Sequence, residues 1–160
     1  MSNKYTKNYL DNKYPNDNGF NLWSEGLKVG ENLEFAIQNI GIDDEASKER
    51  QISKALEVLS CCNPSHEATG VKRTGLVVGK VQSGKTTSFA LLAAAAADND
   101  YKLIINLLGT NNNLFESNLK DVEKILGTKK NTNWEIRKVN SITKGGINID
   151  ENNLKNLLRG

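Results

Sequence analysis

The sequence is poor in the residue types on which several classes of functional site depend. Among its 160 residues are one histidine and two cysteines. His66 is the only histidine, and no Ser/His/Asp or Cys/His catalytic arrangement is recognisable around it. Cys61 and Cys62 are adjacent, and neighbouring cysteines rarely pair with each other, so no disulfide framework is expected. Cys61, Cys62 and His66 could suggest a metal site, but zinc needs four ligands and the sequence has no second pair at a workable spacing. The alternative is that the cysteines pack as small hydrophobic residues at the end of a helix.

Long hydrophobic runs are also missing. The longest strictly apolar stretch, Phe89 to Ala97, has nine residues, whereas a transmembrane helix needs about 20. The first thirty residues contain no apolar segment of the secretory type. We therefore expect a cytoplasmic protein with no membrane partner.

The charge is small in sum but unevenly distributed. Lysine and arginine number 21 and aspartate and glutamate 19, for a net charge of +2. Residues 1–70 carry 7 basic and 11 acidic side chains, whereas residues 71–160 carry 14 basic and 8 acidic ones. If the protein binds an anion, the second half is where we expect the site.

Periodicity divides the chain into three regions. Residues 1–20 are rich in Asn, Asp, Lys and Tyr and are interpreted as a flexible arm. Residues 21–69 are predicted to be a helical hairpin: one apolar stripe runs from Leu22 to Ile40 and stops at Gly41, and a second helix follows Asp43 as its cap and ends before Asn63-Pro64. Residues 70–160 form the third region.

The third region alternates between strand-like and helix-like segments. Predicted strands are residues 74–78, 102–108 and 134–139, and predicted helices are residues 86–97, 113–126 and 151–158. Asn113 and Glu116 are spaced as a capping box, and Gly127 ends that helix. The alternation predicts an α/β fold with a parallel sheet and flanking helices, incomplete within this chain and preceded by the helical hairpin.

One segment carries a chemical signature. Residues 79–86 fit G-x-x-x-x-G-K-[ST], the phosphate-binding loop. Its glycines let the backbone wrap closely around a phosphate, and the helix that begins at Lys85 directs the positive end of its dipole toward that phosphate. Lys85 would reach the β- and γ-phosphates, and the hydroxyl of Thr86 would ligate Mg²⁺. A surface Gly-Lys turn is the alternative. The predicted ligand-binding residues are Gly79, Lys80, Val81, Gln82, Ser83, Gly84, Lys85, Thr86 and Thr87.

This loop, together with Gly109-Thr110-Asn111-Asn112-Asn113-Leu114 after the next predicted strand, resembles the Z-one domain family of bacterial proteins. Members carry an endonuclease label and are similar to the motor half of superfamily-two helicases. The resemblance, which covers about residues 70 to 126, implies a RecA-like ATPase that uses ATP and Mg²⁺. It also implies a role in restriction or phage defence, with DNA and defence proteins as partners.

The same resemblance suggests nucleic-acid contacts. Thr110 and Asn111 lie where helicase-like proteins touch the nucleic-acid backbone; the alternative is that Asn111 to Asn113 only cap the helix. A local excess of positive charge could follow a phosphate backbone or be a solvated face. Its members are Lys124, Lys129, Lys130, Arg137, Lys138 and Lys144. The tyrosines of the arm, Tyr5, Tyr9 and Tyr14, could stack on bases or be disordered.

Parts that hydrolysis and nuclease chemistry require are missing from the sequence. An acidic motif should follow a strand, and the best match, Ile147 to Glu151, follows only a short interrupted apolar segment. No carboxylate cluster of a nuclease is legible. We therefore expect an N-terminal piece of a longer protein, in which hydrolase or endonuclease activity belongs to the full-length chain. The rival hypotheses are a nucleotide-binding regulatory module without hydrolysis and another phosphotransferase with the same loop.

Overall fold

Four helices make up the regular structure of the computed structural model, which describes residues 26–65, 74–78, 84–106 and 112–127. They are α1 (Glu31–Asn39), α2 (Glu45–Ser60), α3 (Lys85–Asp98) and α4 (Asn112–Leu126). Helix α3 packs against each of the other three, and α1 also packs against α4. The core therefore joins the helices on either side of residue 70.

The central position of α3 follows from its composition. A helix that is apolar on every side is buried on every side, and alanines let neighbouring backbones approach closely. Leu91 of α3 is completely buried, as is Leu33 of α1, and Ile52 and Leu59 of α2 are nearly so. Burying a side chain of this size contributes about 1.5–3 kcal/mol. The buried residues of α3 are Ala90, Leu91, Ala93, Ala94, Ala95 and Ala96.

Two helices lie in the region predicted to be a helical hairpin, with other boundaries, and both pack mainly against α3 rather than against each other. Helix α1 begins at Glu31 rather than near Leu22, because Gly26 has a positive φ of 77° and Gly30 is extended as the N-cap. The helix ends before Gly41, whose φ is 66°, as the sequence predicts. The cap of α2 is Asp44 instead of Asp43: its carboxylate accepts the N–H of Ser47 at 2.8 Å.

The predicted parallel sheet is wrong for the part of the chain that the structure describes. Residues 74–78 and 101–106 form no strand there. A strand requires a neighbour that pairs with its backbone, and apolar β-branched sequence alone does not supply one. Leu76 and Val78 are 89% and 84% exposed, and Ile105 is 67% exposed. The buried core is built from helices, and this corrects the expected RecA-like α/β fold.

The helices of the second half lie close to their predicted positions. Helix α3 extends one residue beyond the range 86–97 at each end, and its first residue is Lys85, where the phosphate-loop motif predicts the helix to begin. Helix α4 begins at Asn112, so Asn113 lies in the first turn instead of capping it. Gly127, with a φ of 78°, follows the last residue of α4 as expected. Of the remaining predicted elements, the strand at residues 134–139 and the helix at residues 151–158 lie outside the described residues, as does the arm.

No helix in the described ranges combines the length and the hydrophobicity that a membrane crossing requires.

Candidate phosphate-binding site

The described end of the phosphate-loop motif is the first turn of α3. Gly84 is the N-cap of the helix, with φ 73° and ψ 31° in the left-handed region. Glycine adopts this conformation without strain, whereas side chains with a Cβ rarely do. Lys85 is then the first helical residue, as predicted, and the backbone N–H of Ser88 donates to the carbonyl of Gly84 at 3.0 Å. The second glycine of the motif is therefore required by the backbone itself.

The N-terminus of α3 differs from those of α1 and α2 in its electrostatics. At the start of α1 the carboxylate of Asp98 accepts backbone N–H groups, and at the start of α2 the carboxylate of Asp44 does so. Helix α3 has no side-chain cap in the described residues and no acidic residue in its first turn, which begins with Lys85. The first N–H groups of a helix have no acceptor inside it. A lysine there adds positive charge to the positive end of the dipole, an arrangement that an anion stabilises.

A glutamine from the helical first half reaches this turn. Gln51 of α2 accepts a hydrogen bond from the hydroxyl of Ser88 through its Oε1 at 2.8 Å. Its Nε2 lies 3.3 Å from the position that a Cβ at residue 84 would occupy. A side chain at position 84 would therefore come into close contact with Gln51, and it would also strain the backbone. Helix α2 thus forms one wall beside the start of α3.

A polar side chain of α4 contacts the same turn from another helix. The hydroxyl of Thr86 donates to Oδ1 of Asn118 at 3.0 Å. Both residues are partly buried, and the two helices pack against each other. Thr86, the predicted magnesium ligand, is therefore held by a partner 32 positions along the chain.

The remaining predicted site residues divide between those the structure describes and those it does not. Lys85 is exposed and Thr87 is partly buried in the first turn of α3. Gly79, Lys80, Val81, Gln82 and Ser83 lie outside the described residues, as do Thr110, Asn111 and the acidic candidate at residues 147–151. Sequence reasoning missed Gln51 and Asn118, because no local signal links either residue to the motif.

The opposite end of α3 carries a polar cluster with a structural role. The carboxylate of Asp98 accepts the N–H groups of Gly30, Asn32 and Leu33 at 2.9, 3.1 and 2.9 Å, and the side-chain amide of Asn32 at 2.8 Å. It therefore caps α1 from a different helix. This bond set ties α1 to the helix that carries the candidate site.

Asn99, next to Asp98, is 2% exposed and uses both ends of its amide. It accepts the N–H of Lys28 at 2.9 Å and donates to the carbonyls of Lys28 and Ala95 at 2.9 and 2.7 Å. A buried amide with its hydrogen bonds satisfied costs little to bury, whereas an unsatisfied one is expensive. The segment before α1 is thus fixed to the end of α3.

One of the two cysteines and a nearby tyrosine pack against the core at the end of α2. Cys62 packs against the core and donates to the carbonyl of Val58 at 3.4 Å, and Cys61 is exposed. Burial is the main cause of a raised pKa for Tyr101, and the nearby Cys62 is the second cause. The hydroxyl of Tyr101 donates to the carbonyl of Asn63. Within the described ranges no three His, Cys, Asp or Glu side chains group as metal ligands; His66 lies outside those ranges.

Comparison with protein-family models finds no family that matches the chain, and comparisons with curated proteins and with solved structures find no match either.

Proposed function

We propose that this chain binds a nucleoside triphosphate, with ATP as the expected ligand, through the loop at residues 79–87. The observation that carries the proposal is the coincidence of a phosphate-loop sequence with a helix start that has no side-chain cap and no acidic residue in its first turn among the described residues. Residues 79–86 supply the glycine and lysine pattern. Helix α3 begins at the lysine of that pattern and has no carboxylate at its N-terminus among the described residues. Phosphate oxygens are suitable acceptors for N–H groups at the start of a helix, where the dipole favours an anion.

The side chains of the first turn fit a magnesium-bound triphosphate. Mg²⁺ takes oxygen ligands and usually keeps several waters, so one protein hydroxyl together with phosphate oxygens is sufficient. The hydroxyl of Thr86 uses its proton in the bond to Asn118, which leaves oxygen lone pairs for a cation. When bound, Mg²⁺ would neutralise part of the negative charge of the phosphates. Lys85, exposed at the same turn, would pair with the terminal phosphates.

We further propose that the chain is the nucleotide-binding part of a cytoplasmic, DNA-acting ATPase of the Z-one endonuclease type, in bacterial restriction or phage defence. The resemblance of residues 76–87 and 107–114 to that family supports this role. The excess of basic residues in the second half supports a polyanionic partner.

The test of nucleotide binding is a thermal unfolding measurement on the full 160-residue chain. Mg-ATP at about 100 times its dissociation constant should stabilise the fold by about 2.7 kcal/mol, a shift of about 5–10 °C for a chain of this size. Lys85→Ala should abolish the shift. Lys102→Ala is the matched control, because Lys102 is also exposed but lies beyond the other end of α3. A shift of the same size in Lys85→Ala and wild type contradicts the assignment of the loop.

The DNA-acting role is tested separately. Phosphate release from Mg-ATP is measured with and without double-stranded DNA. A rate that rises with DNA supports a DNA-acting ATPase. Nucleotide binding without phosphate release under either condition instead supports a regulatory module, and turnover that is indifferent to DNA supports another phosphotransferase.

A further inference from the structure

We infer that Asn118 is a positioning residue for the magnesium ion, acting through the hydroxyl of Thr86. The inference rests on the proposed function, because it concerns the metal that would accompany the triphosphate. The observation behind it is the hydrogen bond from Thr86 Oγ1 to Asn118 Oδ1, at 3.0 Å, between the start of α3 and the middle of α4.

Because Thr86 lies in the first turn of α3, the direction of its hydroxyl proton is set by a residue outside that helix. A threonine inside a helix can donate to the carbonyl of the preceding turn, which splits its side chain between two conformations. Thr86 is the second residue of α3, after the N-cap Gly84 and Lys85, so no preceding turn of α3 offers it a carbonyl. Asn118 supplies the acceptor instead.

The direction of the proton decides what the oxygen can do next. A hydroxyl has one proton and two lone pairs. With the proton directed at Asn118, the lone pairs of Thr86 Oγ1 face away from that bond and are available to a cation. If the proton pointed toward the metal position, the hydroxyl would have to rotate before it could ligate Mg²⁺. Asn118 therefore orients the ligand in advance, in the way that partners of metal ligands generally do.

The chemistry of the acceptor matches this role. An amide oxygen accepts the hydroxyl proton without carrying a charge, so Asn118 adds no negative charge beside the triphosphate. Packing of α3 against α4 holds the two side chains together. Asn118 is itself partly buried, whereas its neighbours Ser117 and Lys120 are exposed. The amide thus points into the helix interface and toward the start of α3.

Calorimetric titration of the full chain with ATPγS, once with Mg²⁺ and once with EDTA, tests the inference. The quantity compared is the ratio of the two dissociation constants, the gain due to magnesium. Asn118→Ala should lower this gain about fivefold, which corresponds to a hydrogen bond of about 1 kcal/mol, and should leave the metal-free dissociation constant unchanged. Ser117→Ala, at the neighbouring exposed position, should change neither constant. Asn118→Asp keeps an acceptor oxygen and should retain the gain, while its negative charge should weaken metal-free binding of the nucleotide.

A double mutant separates positioning from a general effect on the fold. Thr86→Val removes the hydroxyl and should abolish the magnesium gain. Adding Asn118→Ala to Thr86→Val should then change nothing further, because the two residues act through one bond. An equal gain in Asn118→Ala and wild type overturns the role of Asn118 and leaves nucleotide binding intact. A wild-type chain that binds no ATPγS in either buffer overturns the proposed function and this inference together. Should Asn118→Ala not fold, Asn118→Leu serves as the variant that fills the space without an acceptor.

Discussion

The carboxylate of Asp98 occupies the space that a side chain at Gly30 would need. A Cβ built on Gly30 would lie 2.8 Å from both Cγ and Oδ1 of Asp98, while the N–H of Gly30 donates to Oδ2 at 2.9 Å. The close approach of a helix end to a helix start therefore depends on a residue without a side chain. Since Asp98 is the last residue of α3, this contact fixes α1 relative to the helix that carries the candidate phosphate site.

Gly30→Ala should lower the free energy of unfolding by about 2–3 kcal/mol, because the new methyl group displaces Asp98 and weakens the cap. The backbone at Gly30, with φ −114° and ψ −165°, is open to alanine, so the cost comes from the clash alone. Gly75→Ala is the control, since a Cβ there meets no atom within 4 Å; it should change stability by less than about 0.5 kcal/mol. Urea unfolding of both variants gives the measurement, and equal stability of the two would contradict the role of Gly30.

Asp98→Asn should destabilise the fold by about 2 kcal/mol, because an amide nitrogen replaces one acceptor oxygen and faces N–H donors. Asp100→Asn is the matched change two residues away. Asp100 has a side chain that is 66% exposed and an ion pair to Lys28 at 3.7 Å, and asparagine tolerates its positive φ of 67°. Loss of this exposed pair should cost less than about 0.5 kcal/mol. Urea unfolding that ranks Asp100→Asn as the more damaging change would refute the assignment of the cap.

Acid should remove a specific contribution of Asp44 at the start of α2. Hydrogen bonds from Ser47, first from its side chain and then from its backbone N–H, lower the pKa of Asp44 below the ordinary value of 3.8. A lowered folded pKa means that the contribution is present above pH 3.8 and is lost as the pH falls through the folded pKa. Unfolding free energies of wild type and Asp44→Asn, measured from about pH 6 to about pH 2, should therefore converge toward low pH.

Ser47→Ala completes this experiment by removing the hydroxyl beside Asp44 while leaving the backbone N–H donor. Its acid-dependent loss should be smaller than that of wild type and larger than that of Asp44→Asn. Parallel curves for wild type and Asp44→Asn over the whole range would show that the carboxylate makes no pH-dependent contribution.

The helices were predictable because their signals are local. Asp43 and Asp44 stand beside each other, so the sequence placed the cap of α2 within one residue of its position. Gly41 and Gly127 end helices through their own positive φ. The start of α3 at Lys85 was likewise predicted, because the left-handed glycine and the helix formers that follow it are adjacent in the chain.

The strands and the longer first helix were predicted wrongly because their signals are incomplete. The apolar residues at 76–78 favour extended backbone, but only a second segment can turn such backbone into a sheet. The apolar stripe continues before Glu31 at helical spacing, but its members Gly26 and Val29 are only partly buried, whereas Leu27, which is not on the stripe, is buried. Gly26 and Gly30 nevertheless stop the helix, because the backbone there serves the contacts of Asp98 and Asn99.

The sequence by itself determined the phosphate-loop motif, the helical character of the four segments and the place where α3 begins, since each depends on residues within a few positions of one another. Only the tertiary structure decided that the described core is helical, that Gln51 and Asn118 flank the start of α3, and that Asp98 caps α1. These three bonds join residues 37, 32 and 65 positions apart. Which side chains meet over such separations depends on how the helices pack, and no pattern within either segment specifies it.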